Sequence, residues 1–192
     1  MIVSSIKSPI KFSLEEFLQL PETEPASEFI DGQIYQKPMP QGKHSRLQTR
    51  FSAAINEVGE PQQLACAFTE LRCTFGGRSI VPDISIFEWD RIPLDENAEI
   101  TNKIVIAPDW VIEILSPEQS SSRVIDKIVF CLNNGTKLGW FIEPQERLIM
   151  VFVPHQLPAV KEGEDSLPVL NVLTDWRFSV ADVFDLLSFR GN

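Results

Sequence analysis

Two acids stand where an apolar residue would be easier to bury. In the run Asp109-Trp-Val-Ile-Glu113-Ile-Leu115, alternate residues of a strand share a face, so Trp110, Ile112 and Ile114 point one way and Val111, Glu113 and Leu115 the other. An ionised carboxylate on an apolar face is costly unless it is paired or binds a metal. A ligand role and a strand-edge ion pair are both open for Glu113. Asp83 lies in the run Ile80-Val-Pro-Asp-Ile-Ser-Ile-Phe87. The preceding proline is confined to an edge, a bulge or a strand start, so Asp83 either closes a turn or points into a crevice. The two acids fall on successive strands, and carboxylates meeting at one sheet edge repel unless a proton or a cation lies between them. Oxygen ligation suits Mg²⁺ or Mn²⁺, and such an ion acts on a phosphodiester as a Lewis acid and a source of hydroxide. Lys127 lies on a following helix whose inward stripe is Val124, Ile128 and Cys131. It either snorkels to solvent or brings a cation to the acids, where it would stabilise charge developing on phosphate.

A second group of residues could hold nucleic acid. The stretch Lys37–Arg50 contains Lys37, Lys43, Arg46 and Arg50 and no acid. His44 within it reads as a phosphate contact or proton carrier, or as an ordinary helix-start histidine. Arg72 and Arg78 flank the Gly76-Gly77 turn, where solvated charge is the usual reading. Cys66, Cys73 and Cys131 sit in apolar segments as small core fillers, and His155 follows Pro154 in a turn with no role assigned. Trp110, Trp140 and the phenylalanines read as core.

These residues must be positioned by a sheet with helices around it. Ser13-Leu-Glu-Glu16 is a capping box opening a helix that runs to Leu20. Glu28–Gln36 reads as a hairpin turning at Asp31-Gly32. Leu47, Phe51, Ile55 and Val58 recur at helical spacing and predict a helix over Gly42–Val58. Leu64–Phe75 is one strand or two, Ile80–Phe87 a strand, 90–103 a loop and Asp109–Leu115 a central strand. A helix over Arg123–Leu132 is followed by strands Leu138–Ile142 and Leu148–Val153, an acidic loop at 162–165, and a closing helix capped by Ser179 with Asp182 three residues on. This order implies an α/β chain of the α+β type, a mixed central sheet flanked by helices.

Composition agrees with that plan. The chain has 192 residues, 43% hydrophobic and 23% charged, with 13 Phe and 4 Trp. That suits one domain over 1–192 and excludes disorder as the main state. No apolar run is long enough to span a bilayer, the N-terminus lacks the apolar core of a secretory signal, and three cysteines without a CxxC pair fit a reducing, cytoplasmic setting. Two histidines make a structural zinc site a poor fit. The net charge of −10 repels nucleic acid on average. It is uneven, however: residues 1–80 carry a net of −1 and residues 81–192 a net of −9, so a locally basic surface remains open.

Val81-Pro82-Asp83 followed by Asp109-Trp-Val-Ile-Glu113-Ile-Leu-Ser-Pro117 resembles the signature of the PD-(D/E)xK, restriction-endonuclease-like superfamily, and more narrowly its Uma-type branch. The resemblance extends over nearly the whole chain, including Glu28 ahead of Asp31-Gly32, the proline-rich approach to His44, Trp140 before Glu143-Pro144, and the closing helix. It implies a metal held by Asp83, Glu113 and the backbone carbonyl of Ile114, with Glu28 assisting. The superfamily's lysine would fall at Leu115, which cannot serve. The branch places its lysine in the next helix, and Lys127 stands there. Where the branch often has an Asp and a Tyr around that lysine, this chain has Arg123 and Cys131.

The leading expectation is therefore an Mg²⁺- or Mn²⁺-dependent endonuclease acting on DNA. Glu28, Asp83, Glu113 and Lys127 would be the catalytic set, and Lys43, His44, Arg46 and Arg50 would contact DNA. The alternatives are a catalytically inactive nuclease-fold module for binding or assembly, and an enzyme for a small phosphorylated substrate. Strands Leu138–Ile142 and Leu148–Val153 are candidates for pairing across a homodimer axis. Convergence of the four catalytic side chains is what separates a catalyst from a bare module.

Overall fold

The computed structural model describes residues 12–117 and 119–189; the N-terminal stretch expected to lack a secretory signal lies largely outside them. Ser13 caps α1 (Leu14–Phe17) with both hydrogen bonds of the capping box in place. The helix ends earlier than Leu20. Phe17 is its buried residue, stacked on Phe29 with ring centroids 5.6 Å apart, whereas Leu18 and Leu20 are exposed and give a longer helix nothing to bury. Pro21 also disfavours helical backbone in the residue before it.

The Asp31-Gly32 turn closes β1 (Ser27–Ile30) on β2 (Gln33–Gln36) with Ile30 paired to Gln33. Both turn residues have positive φ, 52° and 84°, the conformation a two-residue hairpin turn requires. This turn sets the register that brings Glu28 and Lys37 to the same end of the fold. The 18-residue α2 (Gly42–Gly59) buries His44, Leu47, Gln48, Phe51 and Ile55 along one face.

The region expected as one or two strands over 64–75 forms β3 (Ala65–Thr69) and β4 (Cys73–Phe75). The single strand expected over Ile80–Phe87 is instead two strands in different sheets, β5 (Arg78–Ile80) and β6 (Ile84–Glu88). Pro82 has no N–H to give a ladder, so the chain leaves one sheet at Val81 and enters the other after Asp83. β5 completes a four-stranded antiparallel sheet of order β2-β1-β5-β4. β6 lies in a six-stranded sheet with β7 (Trp110–Ile114), β8 (Leu138–Glu143), β9 (Leu148–Phe152) and β10 (Ala159–Glu162), in the order β10-β9-β8-β7-β6-β3.

Only β7 and β8 run parallel in that sheet. A parallel pair needs a crossover, and α3 (Ser121–Asn133) supplies it. Gly139 on β8 lets α3 lie close, because a Cβ there would stand 2.4 Å from Cγ2 of Ile128. The expected pairing of Leu138–Ile142 and Leu148–Val153 across a dimer axis is corrected here. β8 is filled on both edges by β7 and β9, and β9 by β8 and β10. β11 (Ser166–Leu167) and β12 (Phe178–Ser179) form a small pair, and α4 (Val180–Asp185) opens with the predicted Ser179–Asp182 capping box.

The six-stranded sheet is covered on both faces. Leu47, Phe51 and Ile55 of α2 pack with Ile84, Ile112, Trp110 and Trp140 on one face, joined by Val183 and Phe184 of α4. Val124, Ile128 and Cys131 of α3 pack with Phe87, Val111 and Phe141 on the other. Each large apolar side chain buried this way contributes about 1.5–3 kcal/mol relative to exposure. β7 is buried along its whole length, so Glu113 is an acid held inside a core strand. Among the described residues no helix is long and apolar enough to cross a membrane.

Candidate active site

Asp83 sits at the corner where the chain passes between the two sheets, with 1% of its surface exposed. One carboxylate oxygen, Oδ2, accepts the backbone N–H of Ile114 at 2.7 Å. That bond continues the β6–β7 register, in which Ile84 faces Ile112, and it places Asp83 opposite Glu113. The other oxygen, Oδ1, accepts from Lys37 Nζ at 2.8 Å and lies 3.4 Å from His44 Nε2. His44 is turned toward it by Ser116 of the Ser-Pro step, whose hydroxyl shares a hydrogen bond with Nδ1 at 3.1 Å.

Glu113 projects from β7 to the α3 side, as the alternation requires. Lys127, on the buried face of α3, donates to Glu113 Oε2 at 2.8 Å and to Glu28 Oε1 at 3.0 Å. Glu28 Oε1 also accepts the N–H of Val81 at 2.8 Å, which ties β1 to the corner. The second oxygen of Glu113, Oε1, is buried and has no hydrogen-bond partner among the described residues. Thus Glu28, Asp83, Glu113 and Lys127, drawn from β1, the β5–β6 corner, β7 and α3, come together in one buried cluster.

Four further residues, His44 among them, complete it. Lys37, just past β2, donates to Glu70 Oε2 at 2.7 Å and the Val81 carbonyl at 2.9 Å as well as to Asp83. Gln48, one turn after His44 on α2, donates to Glu70 Oε1 and to the Asp83 carbonyl, both at 2.8 Å. His44, Glu70 and Asp83 each offer a ligand atom, all within 4.8 Å of one another. Gln48 was legible in principle, since it shares the inward helical face with His44. Lys37 was read only as part of a basic stretch, and Glu70 carries no local signal.

The charges do not balance. Four carboxylates (Glu28, Glu70, Asp83, Glu113) meet two ammonium groups. Burial works against ionisation of Asp83, but Lys37, His44 and Lys127 overcome it and hold the acid well below the ordinary carboxylate range. Burial dominates at Glu113 and, with the Asp83 charge, pushes it up to about 8 against the pull of Lys127. Burial likewise disfavours the Lys127 charge, yet Glu113, Glu28 and Asp83 raise it above an ordinary lysine. The cluster thus keeps Asp83 ionised, keeps Lys127 charged and leaves Glu113 readily protonated. With Glu113 protonated the set lacks one positive charge, and with it ionised two; a divalent cation would supply the missing charge and give the orphaned Glu113 oxygen a partner. The donor set of carboxylate oxygens, with an imidazole alongside, fits Mg²⁺ or Mn²⁺.

The expected nucleic-acid contacts divide. Lys43 and Arg50 are exposed on α2, and Lys43 lines a cavity of about 300 Å³ with His44, Leu115 and Pro117. Arg46 donates to the carbonyls of Leu186 and Ser188 and stacks on Phe189, which ties α2 to the C-terminal segment. Arg123 lies over the Tyr35 ring at 4.7 Å, and Cys131 is buried in the α3 core. Cys66, Cys73 and Cys131 are all free thiols.

Comparison with known proteins bears on this geometry. No curated protein sequence matches the chain. Among solved structures, the chain is similar to a protein from Anabaena variabilis described as a putative nuclease belonging to DUF820. The two share 52% identity and a TM-score of 0.90, over 92% of this chain and 99% of that one. The family model Uma2, described as a putative restriction endonuclease, matches residues 14–181, a span that takes in every member of the buried cluster. The chain belongs to the Uma2 family and has its restriction-endonuclease-like fold.

Proposed function

We propose that this protein is an Mg²⁺- or Mn²⁺-dependent endonuclease that hydrolyses phosphodiester bonds in DNA. The observation that carries the reading is the cluster's deficit of positive charge beside the unpartnered Glu113 oxygen. Asp83, Glu113 and the Ile114 carbonyl would hold the metal. Bound there, it would supply Lewis acidity to the phosphoryl oxygen and to the attacking water.

The chain's own residues supply the rest. Lys127 is fixed by Glu28 and Glu113 and stays charged, so it is not a general base. Its ammonium orients the water and stabilises negative charge building on phosphorus. Glu28, anchored by the Val81 N–H, holds Lys127 in that direction. In hydrolysis the water oxygen adds to phosphorus, one ester P–O bond breaks, and the water's protons end on solvent and on the departing alkoxide. Lys43 and Arg50 hold the DNA backbone, with His44 at the site's edge. With its cysteines unpaired, the protein works in a reducing cytoplasm.

Cleavage of supercoiled plasmid in Mg²⁺ or Mn²⁺ tests the proposal. Wild type should nick or linearise it. Asp83→Ala and Glu113→Ala should abolish the activity while keeping the circular-dichroism spectrum of the native fold. Retained cleavage in either variant contradicts the assignment.

A further inference from the structure

The catalytic set accounts for one of the two buried ammonium groups and leaves Lys37 unexplained. Its side chain is 8% exposed, and its Nζ is enclosed by three oxygens: Asp83 Oδ1, Glu70 Oε2 and the Val81 carbonyl. It touches the same carboxylate that a divalent ion would need. A buried lysine is expensive to hold in place, and this one is paired with the carboxylate that would ligate the metal.

Its surroundings differ from those of Lys127. Lys127 is fixed on a helix packed into the core. Lys37 lies beyond the end of β2 and lines two neighbouring cavities, of about 470 Å³ and 230 Å³, which also share Pro38 and Gln119. The larger is also lined by Glu22, Glu24 and Glu70, which would repel a phosphate, whereas the smaller carries Arg123 and Lys127 beside Glu28. The flexible four-carbon stem of a lysine can carry the ammonium from the carboxylates into the smaller space, where a bound phosphate would lie.

Resting on the metal-dependent reading above, we propose that Lys37 is a displaceable internal cation. Its ammonium neutralises Asp83 until a divalent ion binds, and is then driven off by like-charge repulsion into the cleft, where it binds a non-bridging oxygen of the substrate phosphate. Lys37 would thus be a substrate-contacting residue whose availability is tied to metal occupancy. Metal-free protein would hold DNA poorly, because the group that grips the phosphate is still engaged with Asp83.

Two measurements test this. In the first, Mn²⁺ is titrated by calorimetry into wild type and Lys37→Met, and each metal-loaded protein is then titrated with a short duplex made uncleavable by phosphorothioate linkages. Lys37→Met should bind Mn²⁺ about tenfold more tightly, since a competing charge is gone, and the duplex about tenfold more weakly, since a charge-assisted bond is lost. A lysine that merely supports the fold would not move the two affinities in opposite directions. Unchanged or weaker Mn²⁺ binding in a folded Lys37→Met overturns the displacement. Unchanged duplex binding overturns the phosphate contact. Absence of Mn²⁺ binding in both proteins overturns the metal centre itself, and this role with it.

The second measurement uses wild type alone and does not depend on how the variant folds. Acetylation of Lys37 is followed by mass spectrometry with and without Mn²⁺, against exposed Lys43 as internal reference. Reactivity of Lys37 should rise severalfold when Mn²⁺ is added. An unchanged or falling rate overturns the proposal.

Discussion

The two faces of the six-stranded sheet are built on opposite principles. The α2 face is an aromatic core. Phe51 stacks on Trp140 and Trp176 at 5.4 and 5.9 Å and meets Trp110 edge-on, with Ile84, Ile112 and Ile142 around them. The α3 face begins the same way, with Val111, Ile128 and Phe141, but at one end it buries Glu113 and Lys127 with Glu28 and Asp83 against them. The first arrangement gains stability from burial. The second accepts a strained charge balance, and what it gains, on the proposed function, is a metal site. The sheet lets the two coexist because strand alternation sends Ile112 to one side and Glu113 to the other.

The largest difference should appear in stability. Phe51→Ala should cost about 3–5 kcal/mol by denaturant unfolding, with Mn²⁺ affinity unchanged in the fraction that stays folded. A loss of metal binding in folded Phe51→Ala would mean that the two faces are coupled. Gly139→Ala probes the helix that carries Lys127. The added methyl meets Ile128 and should destabilise by about 1–3 kcal/mol, and it should weaken Mn²⁺ binding by displacing α3.

Glu113→Gln should act in the reverse sense and depend on pH. The Glu113 carboxyl is raised from 4.5 to about 8 in the fold, so between those values the folded protein holds a proton that the unfolded chain has released. Stability from this group is therefore full below about 4.5 and lost as pH rises through 8. Glu113→Gln keeps the shape and removes the titration. Without divalent ions, its stability relative to wild type should increase steadily from about pH 5 to 9, and saturating Mn²⁺ should cancel much of that gain by stabilising wild type alone. A pH-independent difference would contradict the buried, protonated Glu113. Asp83 has the opposite sign: its lowered carboxyl stabilises the fold above its ordinary value of 3.8, and that contribution fades as pH falls below it.

The smallest effects belong to the surface. Lys43→Ala and Arg50→Ala should change stability by less than about 0.5 kcal/mol. Each should lower the slope of log affinity for DNA against log salt by about one. An unchanged slope would remove that residue from the DNA contact.

Much of this was legible in the sequence because it is local. The alternation in Asp109–Leu115, the Asp31-Gly32 turn, the two capping boxes and the α2 stripe are each fixed by a few neighbouring residues, and they recur in the structure. The break between β5 and β6 was signalled by Pro82, but the apolar run around it masked the change of sheet. Lys37 and Glu70 could not be placed, because they meet across 33 residues through the hairpin and the β3–β4 connection, which local pattern does not encode. Asp83, Glu113 and Lys127 stood out as charges in apolar segments, each with an ordinary ion-pair, turn or snorkelling alternative, and their assembly with Glu28 into one set was implied by the family resemblance.

The proposed function rests on Asp83 and Glu113 holding a divalent metal. Calorimetric titration of Mn²⁺ into wild type and Asp83→Asn, with the fold of each verified by thermal unfolding, tests it without any choice of substrate. Binding should appear in wild type and be lost in Asp83→Asn. Equal binding in the two folded proteins, or none in wild type even with an uncleavable DNA duplex present, would contradict it.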